Sequence, residues 1–108
     1  MNAKILQIGF NFAGSRKEFE DAFNEAAPPI AEQPGLQWKI WIWNDEERYG
    51  GGVYLFEDES SVQAYLAGPI VEQIKVHPAL SNVSARVLDV VEKPTAITRG
   101  PVHKEARV

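Results

Sequence analysis

The run Trp38-Lys39-Ile40-Trp41-Ile42-Trp43, followed after a short polar stretch by Tyr49-Gly50-Gly51-Gly52-Val53-Tyr54-Leu55-Phe56, constrains this chain more than any other part of it. Residues 33 to 58 hold all three tryptophans and two of the three tyrosines, and β-branched and aromatic side chains suit the half-buried pleat of a strand. Asn44 to Arg48 is turn material, so the two runs predict a β-hairpin. In its first strand Leu36, Trp38, Ile40 and Ile42 share one face, and Gln37, Lys39, Trp41 and Trp43 the other. Apolar bulk on both faces means that both are expected to be covered.

Upstream, Leu6, Ile8, Phe10 and Phe12 alternate with Gln7, Gly9 and Asn11, the period-two pattern of a strand with one dry face. Ala13-Gly14 breaks it. Ser15 and Glu18 have capping-box spacing, and Phe19, Ala22, Phe23 and Ala26 recur at helical intervals, which predicts a helix from about Arg16 to Ala27. Pro28-Pro29 is expected to end that helix, since proline lacks the donor a helix interior needs. A short turn over Ile30 to Gln33 is expected to lead into the hairpin.

The glycine triplet opens the third strand. Its order is neither G-x-G-x-x-G nor a Walker loop, and it enters a strand rather than a helix, so it reads as a β-bulge or a close backbone approach and not as a phosphate cradle. Asp58 is placed to cap a second helix with Val62, Tyr65 and Leu66 on its inward stripe. Gly68-Pro69 interrupts that helix, and Ile70, Val71 and Ile74 continue it for a turn or two as far as His77-Pro78. Asn82 to Val91 then alternates as a fourth strand.

The order β-α-β-β-α-β is the ferredoxin-like α+β arrangement, with both helices on one face of a four-stranded antiparallel sheet. Residues 1–92 form that domain, and 93–108, with Pro94, Gly100, Pro101 and little periodicity, is expected to be a C-terminal tail or arm. Trp41 and Trp43 are expected on the helix-free face, where their exposure points to a homodimer paired sheet to sheet.

At 108 residues the chain suits one domain. Fifteen acidic against eleven basic side chains give a net charge of -4, with no basic stripe beside the aromatics, so no nucleic-acid partner is expected. No apolar run approaches membrane-spanning length, and Met1 to Phe12 lacks the marks of a signal peptide, so the protein is expected to be cytoplasmic. The absence of cysteine excludes disulfides and thiolate chemistry. No H-x-x-x-H, H-E-x-x-H or repeated carboxylate loop supplies a metal shell, and no G-x-S-x-G supplies a serine nucleophile.

The segments P-G-L-Q-W-K-I-W, G-G-V-Y-L-F-E-D-E-S-S-V-Q-A-Y-L and A-R-V-L-D-V, across residues 4 to 92, resemble the YdhR-type monooxygenase family of the dimeric α+β barrel superfamily, alongside the antibiotic-biosynthesis monooxygenases. The resemblance implies a homodimer with an apolar pocket between sheet and helices in each subunit, and cofactor-independent oxygenation of a hydroxylated aromatic or polycyclic small molecule. Such an enzyme takes its electrons from the substrate, so its site needs aromatic walls and one or two proton-handling groups.

Trp38, Tyr54, Phe56 and Phe10 are the candidate walls for a small aromatic ligand, and each has core packing as its alternative. Tyr65, on the inward stripe of helix two, is a candidate to orient the substrate or shuttle a proton, and His77 is a candidate base whose rival is a capping role. Haem degradation is a second enzymatic reading. The superfamily's haem binders usually supply a histidine from helix two, where this chain has Gln63 and Tyr65. A third reading is a non-catalytic small-molecule-binding or stress-response module.

Overall fold

The computed structural model describes residues 2–102. Its elements are β1 (Lys4–Phe12), α1 (Arg16–Ala31), β2 (Leu36–Asn44), β3 (Tyr49–Phe56), α2 (Glu59–Leu66), α3 (Pro69–Val76), β4 (Leu80–Asp89) and α4 (Glu92–Ile97). The strands make one antiparallel sheet in the order β2-β3-β1-β4, so the ferredoxin-like βαββαβ arrangement is the fold. Leu6, Ile8, Phe10 and Phe12 of β1 are all buried beneath the helices, as the alternation requires.

Ser15 and Glu18 close a reciprocal capping box at the start of α1. The helix does not stop at Ala27, because Pro28 and Pro29 lie inside its last turns. Each interior proline removes a hydrogen bond and crowds the turn before it, a cost of about 3 kcal/mol. Burial of Ile30 offsets part of this, since the added turn carries that side chain into the core. Gln33 satisfies the end of the helix twice, its backbone N–H donating to the Ile30 carbonyl and its side chain to that of Pro29.

The faces of β2 are the reverse of the simple alternation. Leu36 pairs with Phe56 but Trp38 pairs with Leu55, so Gln37 is an extra residue in the ladder. One extra residue flips every later side chain to the opposite face. Leu36 packs with the helices, whereas Trp38 joins Leu55, Ala3 and Val102 on the far side. Trp41 and Trp43, expected on the helix-free face, instead pack under the helices against Phe23, Phe19 and Phe12.

The glycine triplet is continuous strand, without a bulge, and its role is close approach. A Cβ on Gly51 would sit 1.9 Å from the Ile8 carbonyl oxygen, and one on Gly52 would sit 2.5 Å from Cε of Lys39.

The helix-free face carries Ile5, Ile40, Ile42, Val53 and Leu88, with Ile40 and Leu88 exposed. The segment after Glu92 covers part of it. Val102 is buried beside Ala3 and Leu55, and Nε1 of Trp38 donates to the Pro101 carbonyl at 2.8 Å. Up to Val102, then, the segment expected as a tail or arm packs against the sheet, because Trp38 and Leu55 leave an apolar surface for it to fill. His103 and the rest of the tail lie outside the described residues.

Candidate functional site

Between the sheet and helices α1 and α3 lies a partly open cavity of about 220 Å³. Phe10, Phe23, Trp41 and Tyr54 give it aromatic walls, and Gly51-Gly52 leaves bare backbone along its floor. Its polar groups come from Lys39, Gln73, His77 and Tyr54. A few polar groups on an otherwise apolar, aromatic wall is the usual composition of a small-molecule pocket.

Lys39 stands opposite Tyr54 in the β2–β3 ladder, and Gly52 stands opposite Trp41. The lysine stem crosses the space left by the missing Gly52 side chain and brings Nζ to 3.4 Å from the centroid of the Trp41 ring and 4.6 Å from that of Tyr54. Among the described residues no carboxylate forms an ion pair with this amine. Burial without a counter-ion disfavours the ammonium and pulls Lys39 down to about 7. The aromatic faces below it oppose that pull, because they attract a cation.

Tyr54 and Tyr65 form a buried hydroxyl pair 3.0 Å apart, with ring centroids 5.2 Å apart. Burial pushes both phenols above the ordinary tyrosine value, so they serve as neutral donors and acceptors near pH 7. Val62 and Tyr65 sit inward on α2 because Asp58 caps that helix, its carboxylate accepting from the Ser61 N–H at 2.9 Å.

His77 follows α3 as its C-cap, and its Nδ1 accepts from the Ala79 backbone N–H at 3.0 Å. That contact makes the neutral ring the Nε2–H tautomer and leaves Nε2 as the nitrogen a ligand can meet at the cavity rim. Capping and cavity lining therefore coexist in this residue.

Phe10, Tyr54 and His77 line the cavity. Tyr65 and Phe56 form a layer behind Tyr54, with Phe56 fully buried against both tyrosine rings. Trp38, expected to project toward the helices beside Tyr54, does not reach the cavity, because the bulge at Gln37 turns it to the other face. In its place the cavity has Trp41 and Lys39, which were not among the sequence candidates. Their signal was present, since Gly50 and Gly52 are the small partners that Trp43 and Trp41 need on the crowded face.

The family model described as "Putative mono-oxygenase ydhR" matches residues 5–101. No curated protein matches the chain. Among solved structures, SnoaB, a cofactor-independent oxygenase from Streptomyces nogalater, is similar at a TM-score of 0.68 and 21% identity, covering 83% of this chain and 94% of that one. A protein of unknown function from Nitrosomonas europaea is similar at 0.70 and 19%, covering 84% and 91%. MhuD, a haem degrader from Mycobacterium tuberculosis with two haems bound in its active site, is similar at 0.62 and 22%, covering 81% and 95%. At these identities the likeness to the three structures is one of fold.

Proposed function

Since this chain belongs to the ydhR mono-oxygenase family, we propose that it is a cofactor-independent monooxygenase acting on a small hydroxylated aromatic ring held in the cavity between sheet and helices. The observation that carries this reading is the cavity wall itself, in which Phe10, Phe23, Trp41 and Tyr54 surround a space edged by Lys39, Gln73 and His77. A volume of about 220 Å³ falls below the roughly 300–1,000 Å³ of pockets that enclose drug-sized ligands, so one or two fused rings fit inside and a larger polycycle extends through the mouth.

In the proposed reaction the ring hydroxyl loses its proton, and the electron-rich anion gives its electrons to molecular oxygen. For 1-naphthol, the ring carbon para to the hydroxyl exchanges its C–H for a C=O. One oxygen atom stays on the ring, and the other leaves as water with the two hydrogens removed from substrate. The aromatic walls align the ring and exclude water, while the polar edge handles the proton. Haem suits the cavity less well. Of the helix-two candidates, Gln63 is exposed and bonded to Glu59, and Tyr65 is committed to Tyr54.

A homodimer belongs to the same reading. Ile40, Ile42, Val53, Ile5 and Leu88 form the apolar helix-free face, and a second copy pairing sheet to sheet is the simplest cover for it.

Oxygen uptake with 1-naphthol and related phenols tests the enzymatic reading. The expected result is protein-dependent uptake, with one atom of isotopically labelled dioxygen appearing in the quinone. Uptake no faster with protein than without it, alongside clear binding of the ring, would leave a non-catalytic small-molecule-binding module.

A further inference from the structure

Lys39 is a feature of the cavity that a purely apolar ring pocket has no use for. Its amine is part-buried, its stem is accommodated by a glycine, its Nζ rests on two aromatic faces, and among the described residues it has no carboxylate partner. Burying a cation without a partner is costly, and folds that do so usually give the group a ligand to meet. We propose that Lys39 is the proton acceptor and counter-ion for an ionisable hydroxyl on the ligand, so that the cavity holds its aromatic ring as a phenolate paired with the lysine ammonium. The proposal rests on the ring-binding reading above and adds to it the acidity of the ligand and the residue that recognises it.

The chemistry balances as a single proton transfer. The ring O–H bond breaks and an N–H bond forms on Nζ, converting amine and phenol into ammonium and phenolate. In a site of low dielectric that pair is far stronger than it is in water, and its charge-assisted hydrogen bond fixes which edge of the ring points at β2. With its amine near 7, Lys39 is available as a neutral acceptor at physiological pH, which an ordinary surface lysine is not.

Among the described residues no other cavity group duplicates this role, since the His77 Nδ1 is taken by the Ala79 N–H and its Nε2, carrying the proton, offers a ligand a donor. The titratable neighbours of Lys39 there are Tyr54 from β3, whose hydroxyl is taken by Tyr65, and His77 at the end of α3. From α1 the cavity receives phenylalanine, alanine and Ile30, and from β1 it receives Ile8 and Phe10. The charged side chains Lys17, Glu20 and Asp21 of α1 border a separate hollow beside Trp41, and Lys17 is paired with Asp21.

The test uses 2-naphthol, a two-ring phenol that is protonated in neutral solution and absorbs at longer wavelength when it ionises. Bound to the wild-type protein at neutral pH, it is expected to show the naphtholate band. Lys39→Met, which keeps the stem and removes the amine, is expected to weaken binding at least about tenfold and to abolish the band. Lys39→Gln is expected to do the same.

The wild type alone supplies a check that does not depend on any variant. With Lys39 charged at pH 6, formation of the pair releases one proton to solvent. With Lys39 neutral at pH 8 the proton only changes hands, and no release is expected. Naphthol bound in its neutral form, a naphtholate band that survives in both variants, or equal proton release at the two pH values would each overturn the assignment while leaving the ring pocket intact. Failure of the wild type to bind 2-naphthol at all would remove the ring-binding reading, and this proposal with it.

Discussion

Lys39 ties stability to pH in the same direction as the usual acid-sensitive groups, but over a higher pH range. Its folded value near 7 lies below its ordinary 10.5, so between those limits the unfolded chain holds a proton that the folded chain does not, and stability rises with pH. Below 7 the penalty of the buried ammonium is present in full. Lys39→Met is therefore expected to be more stable than wild type at pH 6, by about 1–4 kcal/mol, with the margin shrinking toward pH 10. Denaturant melts of both proteins across that range measure it, and a margin independent of pH would show that the amine is not held near neutrality. At the hydroxyl pair, Tyr65→Phe leaves the buried Tyr54 hydroxyl without its partner and is expected to cost about 1–3 kcal/mol. Because Tyr65 lies behind the cavity wall, the same change is expected to spare ring binding. The double change Tyr54→Phe with Tyr65→Phe is expected to cost clearly less than the two single costs summed, since neither hydroxyl is then stranded. Strict additivity would mean that the bond contributes nothing.

At the scale of elements, the bulge in β2 and the glycines of β3 act together. The extra residue at Gln37 brings Lys39, Trp41 and Trp43 under the helices, and the bare backbone opposite makes room for them. Gly51 also lies against β1, where an added Cβ would meet the Ile8 carbonyl oxygen at 1.9 Å, backbone that has no side-chain rotamer to move. Gly51→Ala is therefore expected to cost about 3 kcal/mol or more, or to abolish folding, because it forces central strands apart. Gly50→Ala meets the Trp43 ring, a side chain that can turn, and is expected to cost less. Thermal melts of the two variants compare them, and equal losses would contradict the distinction between backbone and side-chain neighbours.

At the scale of the whole molecule, the helix-free face is where the proposed dimer is tested. Trp41 sits under the helices, so the residue that probes this face is Ile40, 56% exposed at the centre of β2. If a second copy covers that face, Ile40→Glu is expected to yield a folded monomer where the wild type sediments as a dimer, because a charge without a partner would be buried between the sheets. A monomeric wild type at micromolar concentration would sink the dimer. Removing residues 95–108 takes away both Val102 and the acceptor for Trp38 Nε1. That truncation is expected to lower stability by about 2–4 kcal/mol, from the lost burial of Val102 and its neighbours and the lost bond. An unchanged melting temperature would mean that the docked segment contributes nothing.

The sequence alone determined the order of elements as far as β4, the dry face of β1, the caps at Ser15 and Asp58 and the family, because each is written in local spacing or in contiguous motifs. Of the residues it named as candidates, Phe10, Tyr54 and His77 line the cavity. Tertiary structure decided the parity of β2. Alternation has a period of two, so one unpaired residue reverses it, and whether Gln37 is paired depends on the facing strand rather than on Gln37 itself. The same holds for the continuation of α1 through Pro28 and Pro29, supported by burial of Ile30, and for the docking of Val102 on a surface shaped by Trp38 and Leu55. Lys39 is the sharpest case: an ordinary lysine in an aromatic strand becomes a part-buried amine, without an ion-pair partner among the described residues, only once the ladder sets it beside Gly52 and over two rings.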